Sequence, residues 1–361
     1  MTQDKTTHDK VRIRLRKPAD LLAAIPQLLG FRPVNSVVLL ADSGNGTKEV
    51  GRRLRCDLPP DHAVGPVAEQ LIDSITQDKP PSVVIVIIGN GGDDEGRRPL
   101  PHDEFVRALR RGLASRGVDM PVAVWVPEIR AGSRWRCYDH ERCGGVLPDP
   151  QSTVAAAESV KLGIVTYNSR EELEQLFAPE ADQLLRVRAQ LIDAKFRDLE
   201  SGAARRWSPD RGMAAVRAGL KAAHSGLLAL SDDQLAELAT ALSDVQVRDA
   251  CLATALPTDA DEARAAERLW QTLARALPAP ERAEAACLAG HAAYLAGNGA
   301  VAGIALQCAL AADPSHVLSG LLIRALQAGI EPGRLHGLAE HAGETGVWPE
   351  PAAREQREKT A

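Results

Sequence analysis

The chain has 361 residues, of which 45% are hydrophobic and only 3% are aromatic. This length suits two domains, whose cores must be filled mostly by Leu, Val, Ile and Ala. The net charge of -5 at pH 7 argues against a nucleic-acid-binding protein, because such proteins usually carry a basic domain or stripe.

The distribution of apolar residues indicates a protein of the cytoplasm. No stretch approaches the apolar length that a bilayer span requires. Residues Met1 to Lys10 are polar and lack the apolar segment of a signal peptide. We therefore expect a cytoplasmic protein with no membrane partner. Its six cysteines are scattered along the chain, and in a reducing compartment most of them are expected to stay free thiols.

The first predicted elements are a strand and a helix. Residues Val11 to Arg16 alternate between apolar residues and Arg, which is typical of a half-buried strand. Residues Pro18 to Gly30 predict a helix, with Pro in its first turn and Gly at its C-terminal end. Pro26 inside this helix predicts a kink or a short break.

Apolar runs then predict further strands separated by helices. The strands are expected at Ser36–Ala41, Val50–Cys56, Ser82–Ile88, Val122–Val126 and Ser133–Tyr138, and the helices at about Val64–Thr76 and Phe105–Arg116. The run Ser82–Ile88 is unbroken, which indicates burial on both faces. Together these elements predict an α/β fold in which a mixed sheet is flanked by helices.

Only helical patterns follow from Ser169 onward. Capping boxes are predicted at Ser169–Glu172, Ser231–Gln234 and Ser243–Gln246, where a Ser side chain would cap a backbone N–H group. Pro280 is expected to open another helix. Residues 285–329 predict a helix, a Gly-Asn-Gly turn, a second helix, an Asp-Pro break and a third helix, which resembles one tetratricopeptide unit. One unit does not establish a solenoid, and a compact helical bundle stays open as an alternative.

These patterns define the expected domains. We predict an α/β domain over residues 11–168 and an all-helical domain with a tetratricopeptide-like helical hairpin over residues 169–348. The polar residues 1–10 and 349–361 are expected to be disordered tails. The boundary is predicted between Leu147 and Ser169, where Pro148-Asp-Pro150 interrupts the chain.

One stretch carries a family resemblance. Residues Pro18 to Ser36, PADLLAAIPQLLGFRPVNS, closely resemble the opening signature of an actinobacterial family known as domain of unknown function 4192. Further matching passages are Arg134-Trp135, Ala155 to Gly163, Val247-Arg-Asp249 and Ala283 to Pro314, in the expected order over nearly the whole chain. The resemblance implies an actinobacterial cytoplasmic protein of this architecture. It implies no activity, because none is assigned to the family.

A candidate metal site lies at Cys137, His140 and Cys143, spaced C-x2-H-x2-C. Zinc favours thiolate and imidazole ligands, and a structural zinc site needs four, so Cys56 or His102 would have to supply the fourth. A reversible Cys137–Cys143 disulfide is a second alternative. The favoured alternative is an ordinary connection with incidental cysteines, and apart from zinc no cofactor is expected. Members of the resembling family carry a fuller cysteine-rich segment, of which only Cys143 matches here.

A glycine-rich stretch, Gly89 to Gly96, directly follows the most apolar strand. It departs from the pattern G-x-G-x-x-G at its last position, and Asp93, Asp94 and Glu95 would repel a phosphate. A solvated acidic loop is therefore the favoured interpretation. Residues His102 to Glu104 open the next helix, where acidic side chains belong for reasons of capping and helix dipole alone.

Two groups of arginines lie in predicted strands. They are Arg12, Arg14 and Arg16 in the first strand, and Arg52, Arg53 and Arg55 in the third. Neighbouring strands would combine them into a basic face able to contact phosphate. The favoured alternative is a solvated edge strand, on which charged side chains oppose aggregation.

Six residues within the family-like passages are candidates for a functional surface: Asp20, Ser36, Arg134, Trp135, Arg248 and Asp249. The sequence alone does not separate that role from helix caps and structural ion pairs. No G-x-S-x-G, H-E-x-x-H, Walker loop or paired-cysteine zinc motif occurs, so no catalytic residue is assigned.

We therefore expect a non-enzymatic interaction or regulatory protein that binds a protein partner and no nucleic acid. This expectation depends on the pairing of a helical-hairpin module with an α/β domain that lacks a catalytic motif. The alternative is a hydrolase or other small-molecule-binding enzyme with its site near Gly89–Gly92, because open α/β sheets bind ligands at the carboxyl ends of their strands.

Overall fold

The computed structural model describes residues 18–44, 50–89, 99–161, 165–201, 207–226 and 228–344. The chain divides into two compact units, one ending at Arg170 and the other beginning at Glu171. The predicted strand at Val11–Arg16 and both predicted tails lie outside the described residues. No helix within these ranges is both long enough and apolar enough to cross a membrane.

The N-terminal unit contains ten helices and strands within the described residues. In chain order they are α1 (Pro18–Leu29), β1 (Ser36–Asp42), β2 (Val50–Asp57), α2 (Val64–Ile75), β3 (Val83–Ile88), α3 (Asp103–Ser115), β4 (Ala123–Val126), β5 (Arg134–Cys137), β6 (Gly144–Val146) and α4 (Val154–Lys161). Short 3-10 turns precede α2 at Asp61–Ala63 and α4 at Pro150–Ser152. The expected mixed sheet with flanking helices is confirmed.

Among the described residues, six strands form one sheet in the order β2-β1-β3-β4-β5-β6. The pair β3 and β4 is parallel, and all other neighbouring pairs are antiparallel. The helix α3 connects the two parallel strands, which is the usual crossover for such a pair. The carboxyl ends of β3 and β4 therefore lie at one edge of the sheet, together with the start of β1.

Both faces of the sheet are covered by helices and buried. Along β1, Val37 and Leu39 contribute to the core beneath α2 and α3, whereas Val38 and Leu40 contribute to the core beneath α1. This division follows from the alternation of side chains along a strand. All six residues of β3 are buried, as the unbroken apolar run predicts.

Helix α1 covers one of these faces with Leu21, Leu22, Ile25 and Leu28. The helix continues through Pro26, so the predicted break does not occur. It ends at Leu29 and is followed by Gly30, whose φ of 78° is a left-handed conformation that glycine adopts without strain. This C-terminal stop is the one that the sequence indicates.

The C-terminal unit is built from helices in its described part. They are α5 (Arg170–Gln175, beginning at the unit boundary), α6 (Asp182–Glu200), α7 (Pro209–His224), α8 (Asp232–Leu242), α9 (Val245–Cys251), α10 (Asp261–Ala276), α11 (Arg282–Leu295), α12 (Gly299–Ala312), α13 (Val317–Gln327) and α14 (His336–Glu344). Helix α11 packs against both α10 and α12 and is buried from Ala285 to Leu295. It is therefore the central helix of this unit.

Arg188 on α6 connects three parts of the helical unit. Its guanidinium lies 2.7 Å from Asp232 Oδ1 at the start of α8 and 2.8 Å from Glu180 Oε2. It also donates to the carbonyl oxygen of Ala276 at the end of α10, at 2.8 Å. Because the Arg188 side chain is only 9% exposed, these bonds satisfy a cation that water hardly reaches.

The capping boxes are only partly as predicted. At α8, Ser231 accepts from the backbone N–H of Gln234, whose side chain accepts in return from Ser231 N–H, so this box is confirmed. At α9 the prediction is wrong, because Asp244 is the cap and accepts from Gln246 N–H. The hydroxyl of Ser243 instead donates to the carbonyl oxygen of Ala239, one turn back in α8.

Candidate functional site

The signature Pro18–Ser36 ends at Ser36, whose side chain is buried. Its hydroxyl donates to the carbonyl oxygen of Val34 at 2.6 Å and accepts from Arg55 Nε at 2.9 Å. The guanidinium of Arg55 also pairs with Asp57 at 2.6 Å and lies 5.7 Å from the ring centre of Phe31. The hydroxyl of Ser36 therefore stabilises the turn between α1 and β1. Asp20, the other candidate in this signature, is exposed on the first turn of α1.

The arginines of β2 are mostly tied to neighbouring groups. Arg52 pairs with Asp78 at 2.8 Å and donates to Gln77 and to the carbonyl oxygen of Ser74. Arg53 is exposed. Strand β2 is the outermost strand of the sheet as far as the described residues go. The predicted partners Arg12, Arg14 and Arg16 lie outside those residues.

Two residues with left-handed backbones meet where β3 ends. Gly89 has a φ of 100° and Asn35 a φ of 42°. The contact is close, since a Cβ atom added at Gly89 would lie 2.4 Å from Oδ1 of Asn35. The indole N–H of Trp125 donates to the Gly89 carbonyl oxygen at 2.9 Å. Residues 90–98, which include Asp93, Asp94 and Glu95, lie outside the described residues.

Arg134 and Trp135 are on opposite faces of β5, as neighbours along a strand must be. Arg134 is exposed, whereas Trp135 is 6% exposed and belongs to the core beneath α1. The Trp135 ring packs over Gly145 of β6, where an added Cβ atom would lie 3.1 Å from the indole nitrogen. Of this predicted pair, only Arg134 is available at the surface.

Cys137 and Cys143 flank the turn between β5 and β6. The backbone N–H of Cys137 donates to the Cys143 carbonyl oxygen, and Cys143 N–H donates to the His140 carbonyl oxygen, each at 3.0 Å. Burial, and then the neighbouring Cys137, raises the pKa of the Cys143 thiol. Across the described ranges, no three His, Cys, Asp or Glu side chains are arranged to hold a metal ion. Neither Cys56 nor His102, the two candidates for a fourth ligand, is part of such a group.

In the helical unit, the predicted pair Arg248 and Asp249 belongs to a larger polar cluster. Arg248 lies 2.7 Å from Asp249 Oδ1 and 3.4 Å from Oε2 of Glu284 on α11. The same Oε2 atom lies 3.0 Å from Nε2 of His316, which caps α13. One carboxylate oxygen therefore connects α9, α11 and α13.

His316 is the most constrained member of this cluster, which we call the Glu284 cluster (Arg248, Asp249, Glu284, Cys287 and His316). Hydrogen bonds with Cys287 and then Glu284 raise the pKa of His316 to about 10. A third contact acts in the opposite direction, because Nδ1 accepts from the backbone N–H of Ser319 at 3.1 Å. Only an unprotonated Nδ1 can accept, so this cap favours the neutral ring.

Sequence reasoning identified Arg248 and Asp249 but missed Glu284, Cys287 and His316. Two local signals were available. Glu284 and Cys287 are three residues apart on one helix and so share a face. His316 stands immediately before α13, at the position where a side chain caps the first N–H groups. Neither signal shows that His316 lies next to Glu284 and Cys287 in the folded protein.

The chemistry of the Glu284 cluster is that of a buried polar junction. It contains a thiol, an imidazole and a carboxylate, which are the groups of a nucleophilic triad. However, Cys287 is 0% exposed and His316 is 6% exposed, so in this conformation no substrate reaches the thiol. Asp249, whose side chain is 48% exposed, is the member that faces solvent.

Comparison with known proteins gives one match. A family model described as Domain of unknown function (DUF4192) matches residues 18–333. That range includes the turn at Ser36, the end of β3, the Cys137–Cys143 turn and the Glu284 cluster. No curated protein and no solved structure matches the chain.

Proposed function

Since the chain belongs to the family described as Domain of unknown function (DUF4192), a description that assigns no activity, we propose that it is a non-enzymatic interaction module of the cytoplasm. The observation that carries this proposal is a pair of exposed apolar side chains on α13. Val317 is 75% exposed and Leu321 is 51% exposed. Four residues apart on one helix, they share a face.

An ionised carboxylate lies in the turn that precedes α13. The backbone N–H of His316 donates to the carbonyl oxygen of Asp313 at 3.1 Å, so Asp313 lies one tight turn before α13. Hydrogen bonds from the hydroxyl and the backbone N–H of Ser315 lower the pKa of the Asp313 carboxyl. We define the α13 surface as Asp313, Val317 and Leu321.

The chemistry of the α13 surface indicates its partner. An amphipathic helix of another protein would cover Val317 and Leu321 with apolar residues three or four positions apart. A Lys or Arg at the edge of that helix would face Asp313, and this charge complementarity would fix its orientation. We further propose that the α11–α12 hairpin acts as the helical hairpin of a tetratricopeptide unit does, by holding the binding helix α13 in position. The Glu284 cluster contributes to the same support.

Site-specific photo-crosslinking tests this proposal. A photoreactive phenylalanine derivative is placed at Leu321 of the full chain, with a matched protein labelled at Val160, an exposed apolar residue of α4. We expect Leu321 alone to capture one protein stoichiometrically, through a peptide with the amphipathic pattern and a basic residue. Val317→Asp should abolish the capture and Val154→Asp should leave it. Capture of a second copy, equal capture at Val160, or no capture would each contradict the proposal.

A hydrolase or small-molecule-binding enzyme is the second candidate, and one observation favours it. Asn35, a non-glycine residue with a left-handed backbone, contacts Gly89 at the carboxyl end of β3. Strained residues of this kind concentrate at ligand sites. Native mass spectrometry of the protein from its own host should then show a co-purifying small molecule that Asn35→Ala removes and His62→Gln retains. Spectra of the bare chain for all three proteins would dismiss this candidate.

A further inference from the structure

Cys137 and Cys143 face each other across the end of the β5–β6 pairing. Arg136 and Gly144 are partners in the register, so the next opposing pair is Cys137 and Cys143. The 3.0 Å bond from Cys137 N–H to the Cys143 carbonyl oxygen continues the ladder to this pair. The register therefore holds the two residues directly opposite one another.

Directly opposite residues suit a disulfide. Their Cα atoms are about 4.5–5.5 Å apart in antiparallel pairs, and disulfides join Cα atoms about 4.4–6.8 Å apart. Both cysteines are free in this structure, and their side chains are hydrogen-bonded to each other. An S–S bond could form here without any change of strand register.

The two thiols differ in access, which sets an order of reaction. Cys137 is 1% exposed and belongs to a strand paired on both sides, with β4 and β6. Cys143 is half-buried and immediately precedes β6. A dissolved reagent therefore meets the Cys143 sulfur first, and the Cys137 sulfur is already next to it.

We propose that Cys137 and Cys143 form a reversible dithiol–disulfide pair whose oxidant is a low-molecular-weight disulfide. The Cys143 thiolate attacks one sulfur of the small disulfide, breaks its S–S bond and releases one small thiol. The Cys137 thiolate then attacks the Cys143 sulfur of this mixed disulfide and releases the second small thiol. In sum, two cysteine thiols are oxidised, one small disulfide is reduced to two thiols, and the two cysteine protons end on those thiols.

The surroundings of the turn allow this oxidation in the folded protein. Tyr138 N–H donates to the carbonyl oxygen of Ala123 at 2.9 Å, and Asp139 pairs with Arg110. These contacts hold Tyr138 and Asp139, at the start of the turn, in place before any S–S bond forms. The second attack is intramolecular, so the mixed disulfide should be short-lived.

The test uses the full-length protein and oxidised glutathione as the probe. Reduced protein is incubated with oxidised glutathione, quenched with acid, alkylated and mapped by peptide mass spectrometry. We expect a Cys137–Cys143 cross-link, two fewer alkylated thiols, and full return of both thiols after addition of reduced glutathione. Cys56 and Cys308, the other half-buried cysteines, should remain alkylated.

Variants separate this pair from other thiol chemistry. Cys143→Ser should abolish the cross-link, Cys56→Ser should leave it unchanged, and Cys137→Ser should leave a stable mixed disulfide on Cys143. A persistent mixed disulfide on Cys143 in the unsubstituted protein would overturn the proposal. One zinc per chain that is lost in Cys143→Ser would also overturn it, because the thiols would then be ligands.

Discussion

The Nε2 atom of His316 lies 3.0 Å from the Oε2 atom of Glu284, and this contact joins the start of α13 to the central helix α11. The ring also caps α13 through its other nitrogen, so one side chain both begins the helix and anchors it. The α13 surface is thus supported by a polar junction directly beneath its first turn.

We expect Glu284→Gln to lower the pKa of His316, because it removes the charge that stabilises the imidazolium. With its folded pKa raised to about 10, His316 contributes stability that is fully present below about pH 6.5 and is lost as the pH rises toward 10. Imidazole NMR titration and unfolding curves at several pH values measure both effects. Unchanged titration in Glu284→Gln would contradict a role for Glu284 in setting the pKa of His316 and would leave Cys287 and the cap on Ser319 as the groups that set it.

Acid should destabilise the protein through His291. This residue is 1% exposed on α11, and burial, followed by the nearby His336, lowers its pKa to about 4. The unfolded chain binds the proton near pH 6.5, so stability falls as the pH drops from about 6.5 to 4, by roughly 3 kcal/mol. His291→Gln should remove this loss, whereas the exposed His62→Gln should retain it. Urea unfolding between pH 4.5 and 7 decides the matter.

Loss of Arg188 should be among the most damaging substitutions in the helical unit. Arg188→Ala leaves Glu180 and Asp232 without their shared cation and the Ala276 carbonyl oxygen without its donor. We expect a cost of about 1.5–3 kcal/mol in the free energy of unfolding, because the two carboxylates that lose their cation are still partly exposed to water. Arg186→Ala, at an exposed position of the same helix, should cost less than about 0.5 kcal/mol. Equal costs in chemical denaturation would contradict this role.

Gly89→Ala should destabilise the end of β3 for two separable reasons. A methyl group would meet Asn35 Oδ1, and the φ of 100° disfavours any side chain. Gly117→Ala isolates the second effect, because its φ is 69° and no atom lies within 4 Å of the added Cβ. We expect the loss of melting temperature to be clearly larger at Gly89 than at Gly117. A similar loss at both positions would mean that the Asn35 contact is easily relieved.

Within the signature, Leu22→Ala and Asp20→Ala should behave differently. Leu22 is 0% exposed on the buried face of α1, so its truncation should cost about 2–5 kcal/mol in the free energy of unfolding. Asp20 is exposed near the helix start, where its loss should cost about 1 kcal/mol or less. Unfolding and partner capture are measured on both. Lost capture in Asp20→Ala at an unchanged melting temperature would place Asp20 on a binding surface.

Much of the fold could be predicted from local sequence because its causes are local. The run from Val83 to Ile88 contains only apolar β-branched residues, and such a run is stable only when both faces are covered. The capping box at Ser231 and Gln234 depends on two side chains three residues apart. The left-handed stop at Gly30 depends on one residue.

Other features were decided by contacts that local sequence does not encode. Strand β6 contains Gly144 and Gly145, and glycine has a low strand propensity. The strand forms because its backbone pairs with β5. Glycine is suited to position 145 because the Trp135 ring occupies the space that a side chain would need. At α9, two neighbouring residues could each cap the helix. The sequence favoured Ser243, but its hydroxyl is already used by the carbonyl oxygen of Ala239.

The sequence by itself determined the class of each half of this protein, because apolar periodicity, caps and turn residues act over a few positions. It also supplied Arg248, Asp249, Cys137 and Cys143 as candidates. Only the tertiary structure decided what these residues contact. Glu284 lies 36 residues from Arg248 and 32 from His316 along the chain. Such pairs meet through the packing of whole helices, and no local pattern specifies that packing.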